Sequence, residues 1–199
     1  MWSTVFNSAL LFGVAHAAQT YQIIKNYTAP SFFDHFSFFS DPDPTAGFVK
    51  YLDMQAANYT GLAGFASSDQ FQNSVFLGVS TSTVSQSGRP STRIQSNDTF
   101  NSSTLWIADI RHHPHGCGIW SAYWLVGPDW PVGGEVDLLE NINLATTDKY
   151  FLHTSTNLSV AKFSDPSMAN STGMNIRGQF SNLSCTVTVE SNTGCVSKA

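Results

Sequence analysis

The sequence predicts an all-β fold, a sandwich or jelly roll built as one domain. Three observations carry this. Helical periodicity is hard to find along the 199 residues. Short runs of alternating or apolar β-formers recur instead, each bounded by Gly, Pro, Asn or Ser. Aromatic residues make up 13% of the chain, which suits an aromatic-rich β core or a surface that stacks on sugar rings.

The expected strands follow in chain order. They are Ser74 to Ser80, Thr92 to Gln95, Thr104 to Asp109, Ile119 to Val126, Glu135 to Glu140, Tyr150 to His153 and Thr186 to Val189. Turn signals separate them at Ser87-Gly88-Arg89-Pro90, His113-Pro114-His115-Gly116, Gly127-Pro128-Asp129 and Val132-Gly133-Gly134. Residues 164–184 are polar and rich in Ser and Asn, so a long exposed loop is expected there. There is no internal repeat, linker or low-complexity tract.

The ends and the modification signals concern cellular context. An apolar stretch around Ala9 to Val14 precedes Ala15-His16-Ala17, with small residues at the −3 and −1 positions of a cleavage site. Residues 1–17 are therefore expected to be a secretory signal peptide, although the stretch before the apolar run carries no Lys or Arg. Asn-X-Ser/Thr sequons occur at Asn26, Asn58, Asn97, Asn101, Asn157, Asn170 and Asn182, seven of thirteen asparagines. About three would follow from the Ser and Thr content alone, so the excess fits a secreted glycoprotein, extracellular or in a cell wall. Three cysteines are an odd number for an exported chain. Cys185 and Cys195 are spaced to close a short loop, leaving Cys117 free or with its partner elsewhere.

Net charge is −5 with only 9 Lys plus Arg and no basic cluster, so nucleic acid and anionic membrane surfaces are poor partners. No later run approaches the ~20 apolar residues of a spanning helix. A monomer is expected.

Within Gly133-Gly134-Glu135-Val136-Asp137-Leu138-Leu139-Glu140, three of the chain's 14 acids interrupt an apolar strand. Successive strand side chains alternate faces, so Glu135 and Asp137 share one face and Glu140 falls on the other. One extra residue in a β-bulge at Leu138-Leu139 restores parity and lines all three acids on one face, with apolar residues packed behind. Neighbouring carboxylates repel and raise each other's pKa, which gives a merely structural strand no advantage. Retaining glycoside hydrolysis needs such a pair: one ionised carboxylate as nucleophile and one protonated carboxyl as acid, about 5–5.5 Å apart. Ca²⁺ binding and a solvated strand face are the other readings of the same spacing, though an extended strand rarely wraps an ion. His112, His113 and His115 lie in a turn without zinc-type ligand spacing, and no metal or cofactor is expected.

The acid run resembles the bulged, laminarinase-type signature Glu-x-Asp-x-x-Glu of family 16 glycoside hydrolases. The stretches SGRPSTRIQS, LWIADIRHHPHGCGIWSAYWLVGPDWPVGGEVDLLENIN, HTS and the earlier FFDHFSFFSDPDPTAGFVKYLD are similar to fungal endo-β-glucanases of that family. The similarity runs from about Tyr21 to the last residues. It implies a concanavalin A-like β-jelly roll over residues 18–199, with a sugar cleft on its concave sheet. It also implies Glu135 as nucleophile, Glu140 as acid/base and Asp137 between them as helper. Trp120 and Trp124, four apart on one expected strand, match the family's cleft-lining Trp pair. Trp130 borders the same cleft, and His153 matches a family histidine near the acids. Either Trp, or His153, has a plain core reading as well.

The implied activity is retaining hydrolysis of β-1,3 and mixed-linkage β-1,3/1,4-glucans; transfer to a sugar acceptor proceeds through the same intermediate. The chain departs from the pattern at Ser121, where a proline is usual. It departs again at Thr156-Asn157, where a Gly-Cys pair is usual, which removes a disulfide partner for Cys117. Family members of this type also continue well beyond Ala199, so the resemblance implies a jelly roll incomplete at its C-terminal side. The competing expectation is a truncated product that binds glucan weakly or does not fold.

Overall fold

The computed structural model describes residues 20–66, 73–81, 84–155, 179–182, 184–187 and 195–198. Among them the chain forms eleven strands and one short α-helix. The strands are β1 (Phe36–Phe38), β2 (Val49–Tyr51), β3 (Ala63–Phe65), β4 (Val75–Leu77), β5 (Arg89–Ser91), β6 (Ile94–Ser96), β7 (Trp120–Val126), β8 (Glu135–Ile142), β9 (Lys149–His153), β10 (Gln179–Asn182) and β11 (Cys195–Lys198). A single 3-10 turn, Phe32–His35, precedes β1.

The principal sheet has five strands in the order β10-β11-β9-β8-β7. All its pairings are antiparallel. Three two-stranded ladders stand beside it: β1 with β6 and β3 with β4, both antiparallel, and β2 with β5, parallel. The buried apolar cluster is Phe33, Ala57 and Ala63, with Phe32, Phe38, Leu52, Val75 and Leu77 packed against it. It therefore belongs to the small ladders and the helix α1 (Met54–Tyr59) between them. Asp53 starts this helix by accepting from Ala56 N at 2.8 Å, an ordinary N-cap.

The structure revises the expected elements in several places. Thr104 to Asp109 is not a strand, because its backbone finds no ladder partner. Trp106 instead packs edge-on against Phe100, while Ile107 stays 87% exposed. Arg89 and Pro90 are strand, not turn: they pair with Val49 and Lys50. Ser74 to Ser80 contracts to Val75–Leu77 with an isolated bridge at Val79, and Thr92 to Gln95 shifts to Ile94–Ser96. Within the expected loop 164–184, Gln179–Asn182 is a strand. Of Thr186 to Val189, Thr186 bridges Thr154 and the last two residues lie outside the described ones, as do residues 1–17, Asn157 and Asn170.

Among the remaining sequons, Asn26, Asn58, Asn97 and Asn101 are exposed, and Asn182 lies on β10. Cys185 and Cys195 are joined by a disulfide with Cα atoms 4.2 Å apart, and Cys117 is free and exposed. No helix among the described residues is long and apolar enough to cross a membrane.

Arg93 links the small ladders to the principal sheet. Its guanidinium lies 4.8 Å from the Phe39 ring, 5.3 Å from Trp124 and 6.0 Å from Tyr51. It also pairs with Asp43 at 3.9 Å. Burial raises the Asp43 pKa, but hydrogen bonds from Thr45 and Gly47, together with Arg93, outweigh it and hold the carboxyl below its ordinary value. Replacing Arg93 with Ala leaves a buried carboxylate without its cation and three rings without their bridge. The expected loss is about 1–3 kcal/mol, read as a lower urea midpoint at pH 7 with unchanged slope. Arg93→Lys is expected to recover only part, because an ammonium cannot lie flat on the rings. An Arg93→Ala midpoint equal to wild type would show that the bridge is not structural.

Candidate active site

The site begins with a register slip in β8. Tyr123 pairs with Leu139 and Trp124 with Asp137, so Leu138 is the extra residue. The same slip occurs against β9, where Asp137 faces Phe151 and Glu140 faces Lys149. This is the bulge that the parity of the acids requires, and it brings Glu135, Asp137 and Glu140 onto one face. Directly opposed residues of an antiparallel pair share a face. Three rows follow across β7, β8 and β9: Val126–Glu135–His153, Trp124–Asp137–Phe151 and Ala122–Glu140–Lys149. Trp120 lies on the same face, one position beyond Ala122 along the alternation, so Trp120 and Trp124 do share it.

Asp137 and Glu140 are only 4% and 6% exposed, and Glu135 is half-buried. Asp137 is the centre of the hydrogen bonding. His153 Nε2 lies 3.3 Å from its Oδ2, and Glu135 shares a hydrogen bond with it. Trp120 donates to Glu140 and Trp130 to Glu135. His153 stacks on Phe151 at 5.9 Å, and its Nδ1 is buried without a partner among the described residues.

Trp130 reaches Glu135 from the hairpin between β7 and β8. Gly127 N donates to Gly134 O at 2.9 Å to close that turn. The backbone there is too close for side chains: a Cβ on Gly133 would overlap the Pro128 carbonyl, and one on Gly127 would overlap Gly133 O. Glycine at both positions is thus required to bring Trp130 to the acids.

The titration follows from this geometry. Burial first, then the charge of Asp137, pushes Glu140 up to about 7 against the opposing effects of Trp120, His153 and Lys149. Burial and Asp137 likewise raise Glu135, while His153 and the Trp130 donor oppose them. His153 is raised chiefly by its hydrogen bond to Asp137, with burial working against it. Two carboxyls above their ordinary range, joined through a third and a histidine, can divide the duties of nucleophile and acid. Glu135, Asp137 and His153 also offer donor atoms within 4.8 Å of one another. Each of these groups is already engaged by another member, so the cluster is organised as a proton network.

The structure places the predicted residues with two qualifications. The apolar side chains behind the acids are incompletely covered, for Val136 is 39% exposed and Leu138 and Leu139 are half-buried. Trp124 is half-buried under Arg93, whereas Trp120 and Trp130 remain 62% and 43% exposed. Lys149, Phe151 and Arg93 belong to the site's surroundings and were not singled out from the sequence. Pairing the two strands on paper would have set Lys149 opposite Glu140. A depression of ≈ 310 Å³ lined by Ser40, Asp41, Pro42, Val49, Lys50, Tyr51 and Ser87 touches this region at Tyr51, and Glu135, Asp137 and Glu140 do not line it.

The chain is similar to several known proteins. The family described as "XgeA-like, catalytic GH16 domain" matches residues 36–199. The chain is 41% identical over 153 residues to the endo-1,3(4)-beta-glucanase xgeA of Emericella nidulans, covering 74% of this chain and 24% of that protein. The solved structure of an elongating GH family 16 beta-1,3-glucosyltransferase superposes with a TM-score of 0.71 at 36% identity, covering 86% of this chain and 54% of that one. Laminarinase 16A of Phanerochaete chrysosporium, solved with beta-glucans in both donor and acceptor sites, gives 0.70 at 32% identity and covers 87% and 54%. The chain spans about a third or less of the first curated relatives and about half of these solved chains. The fold is thus the all-β jelly-roll type of these neighbours.

Replacing Asp137 with Asn tests the electrostatics directly. Its negative charge raises Glu135, Glu140 and His153 alike, so all three midpoints are expected to fall, that of Glu140 to below about 7. Carbon-detected NMR titration of labelled Glu and His reads this without substrate. A Glu140 midpoint that does not move would refute the assigned coupling.

Proposed function

The chain belongs to glycoside hydrolase family 16, in the XgeA-like group of catalytic domains, and on that premise we propose that it is a retaining endo-β-glucanase. Its substrates are β-1,3- and mixed-linkage β-1,3/1,4-glucans. The observation that carries the proposal is the single-faced set Glu135, Asp137 and Glu140, held by the bulge at Leu138. The ionised Glu135 carboxylate attacks the anomeric carbon while Glu140 gives its proton to the departing glycosidic oxygen. This leaves a glycosyl ester on Glu135 and a carboxylate on Glu140. Glu140 then takes a proton from water as that water attacks the same carbon, and Glu135 is released. Asp137, hydrogen-bonded to Glu135 and His153, keeps the two outer carboxyls apart in protonation as the negative charge moves from Glu135 to Glu140 between the two steps. The exposed ring of Trp120 offers a face for a pyranose next to its own hydrogen bond with Glu140. Export through residues 1–17 and glycosylation belong to the same proposal.

One observation favours a second outcome of this chemistry. A structural neighbour at 36% identity is an elongating beta-1,3-glucosyltransferase. If a sugar hydroxyl rather than water receives the glycosyl group, the product is longer than the substrate. Incubation with a laminari-oligosaccharide and mass spectrometry separates the two. Shorter oligosaccharides alone are expected for hydrolysis, and products longer than the input would assign transfer.

The residue roles are tested by amide substitution. Glu135→Gln is expected to lower turnover on mixed-linkage glucan by roughly a hundredfold or more, since covalent catalysis is lost. Glu140→Gln is expected to be slow on glucan but to recover on aryl glycosides whose leaving groups need no proton. If Glu135→Gln retains more than about a tenth of wild-type turnover, Glu135 is not the nucleophile. The pH profile has a definite sign. Glu140 works protonated, so activity falls as pH rises through about 7. Glu135 works ionised, so activity also falls as pH drops through its raised value. A bell centred on the acid side of neutrality is expected, and an optimum above about pH 8 would contradict the assignment of Glu140.

A further inference from the structure

Behind Glu140, on the opposite face of the sheet, a polar bridge crosses three strands. His113 Nδ1 lies 2.8 Å from Ser121 Oγ, and His113 Nε2 lies 3.2 Å from Asp148 Oδ1. Ser121 Oγ donates to Pro114 O at 3.0 Å, which fixes the hydroxyl towards the same loop. Ser121 belongs to β7 and Asp148 immediately precedes β9, so the imidazole spans the strand between them.

The strand it spans is β8, at Asn141, which pairs with Ser121. Asn141 is 5% exposed, and its Nδ2 donates to Ala145 O and Thr147 O, at 3.1 and 3.4 Å, in the connection to β9. The loop carrying His113 is anchored at the same end. Gly116 N donates to Asn143 O at 3.0 Å, Gly118 N to Asn143 Oδ1 at 2.8 Å, and Asn143 N to Ile119 O at 2.7 Å.

Each end of the bridge adjoins a residue that faces Glu140 on the other side of the sheet. Ser121 follows Trp120, the indole donor to Glu140. Asp148 precedes Lys149, the cation opposite Glu140 in the ladder. Alternation along a strand converts a restraint on one face into a placement on the other: fixing Ser121 and Asp148 fixes the neighbours that point through to the acid. We propose that His113 is a positioning residue, which by bridging Ser121 and Asp148 across the back of β8 holds Trp120 and Lys149 at the Glu140 carboxyl. It touches neither the acids nor the sugar face. The proposal rests on the reading of Glu140 as the proton donor only for its consequence in activity; the placement itself is independent of that reading.

The groups facing Glu140 are Asp137, which raises its pKa, and Trp120, His153 and Lys149, which lower it. Loosening Trp120 and Lys149 weakens two of the lowering influences, so the Glu140 midpoint must rise. The basic limb of kcat/KM, which follows loss of the Glu140 proton, must move to higher pH with it. Damage to the fold alone would lower kcat at every pH without moving the limb.

The test measures the Glu140 carboxyl by NMR titration in the full chain, with Glu140→Gln to assign the signal. His113→Ala is expected to raise the midpoint by about half a unit or more. Ser121→Ala, which removes no charge, is expected to raise it in the same direction, which separates lost placement from loss of an imidazolium. In a Trp120→Phe/Lys149→Ala background, His113→Ala is expected to add nothing, since its effect passes through those two side chains. The proposal is overturned if Ser121→Ala leaves the midpoint where it was, or if His113→Ala shifts it equally in both backgrounds. Should Glu140→Gln prove fully active while these shifts occur, the catalytic reading falls and the placement stands.

Discussion

One extra residue in one strand governs the site. Without the slip at Leu138, Glu140 would point through the sheet and away from Glu135 and Asp137. The bulge also sets the neighbours. Because the slip occurs against both flanking strands, β7 and β9 remain in step with each other, and each acid acquires a companion on either side. Glu135 receives His153, Asp137 receives Phe151 and Trp124, and Glu140 receives Lys149 and the small side chain of Ala122.

Two buried acids and a half-buried one on a single face are unfavourable, and the structure answers in two ways. Asp137, the least exposed, has the strongest support through His153 and the hydrogen bond with Glu135. Each outer acid has an indole donor, Trp120 for Glu140 and Trp130 for Glu135. These donors favour the ionised forms without bringing charge into the cleft, while burial favours the neutral ones. The balance leaves Glu140 near neutrality, where a carboxyl both holds and releases a proton readily. An indole in this site offers both a ring face and a hydrogen-bond donor, and a Phe replacement removes only the donor.

What could be read from the sequence follows from element length. Strands β7, β8 and β9 alternate long enough to show a period, and the acid spacing brings all three acids to one face only through a bulge. Strands of three residues, such as Phe36–Phe38 and Ala63–Phe65, contain too few alternations to stand out, and their identity comes only from the partner they meet. The opposite error occurred at Thr104 to Asp109, where alternation is present and a partner is not. The site divides in the same way. Residue type and spacing pointed to the acids, and the resemblance to the family added the Trp residues and His153. Arg93, Lys149 and His113 act through neighbours on other strands, so their contributions depend on register.

The buried apolar cluster and the chemistry occupy different parts of the molecule. Phe33, Ala57 and Ala63 hold the small ladders together, whereas the buried side chains of the principal sheet include Asp137, Glu140, Asn141 and His153. A sheet whose interior is this polar cannot rely on apolar packing alone to fix its acids. Directional contacts do it instead: the Trp130 hairpin at one end of β8, the His113 bridge at the other, and Arg93 stacked on Trp124 between the sheet and the apolar cluster. Polar restraints of this kind are individually worth little net stability, but each admits a narrow range of geometry. Their value at this site lies in position, because the coupling between neighbouring carboxyls changes on small displacements that the stability of the fold would hardly register.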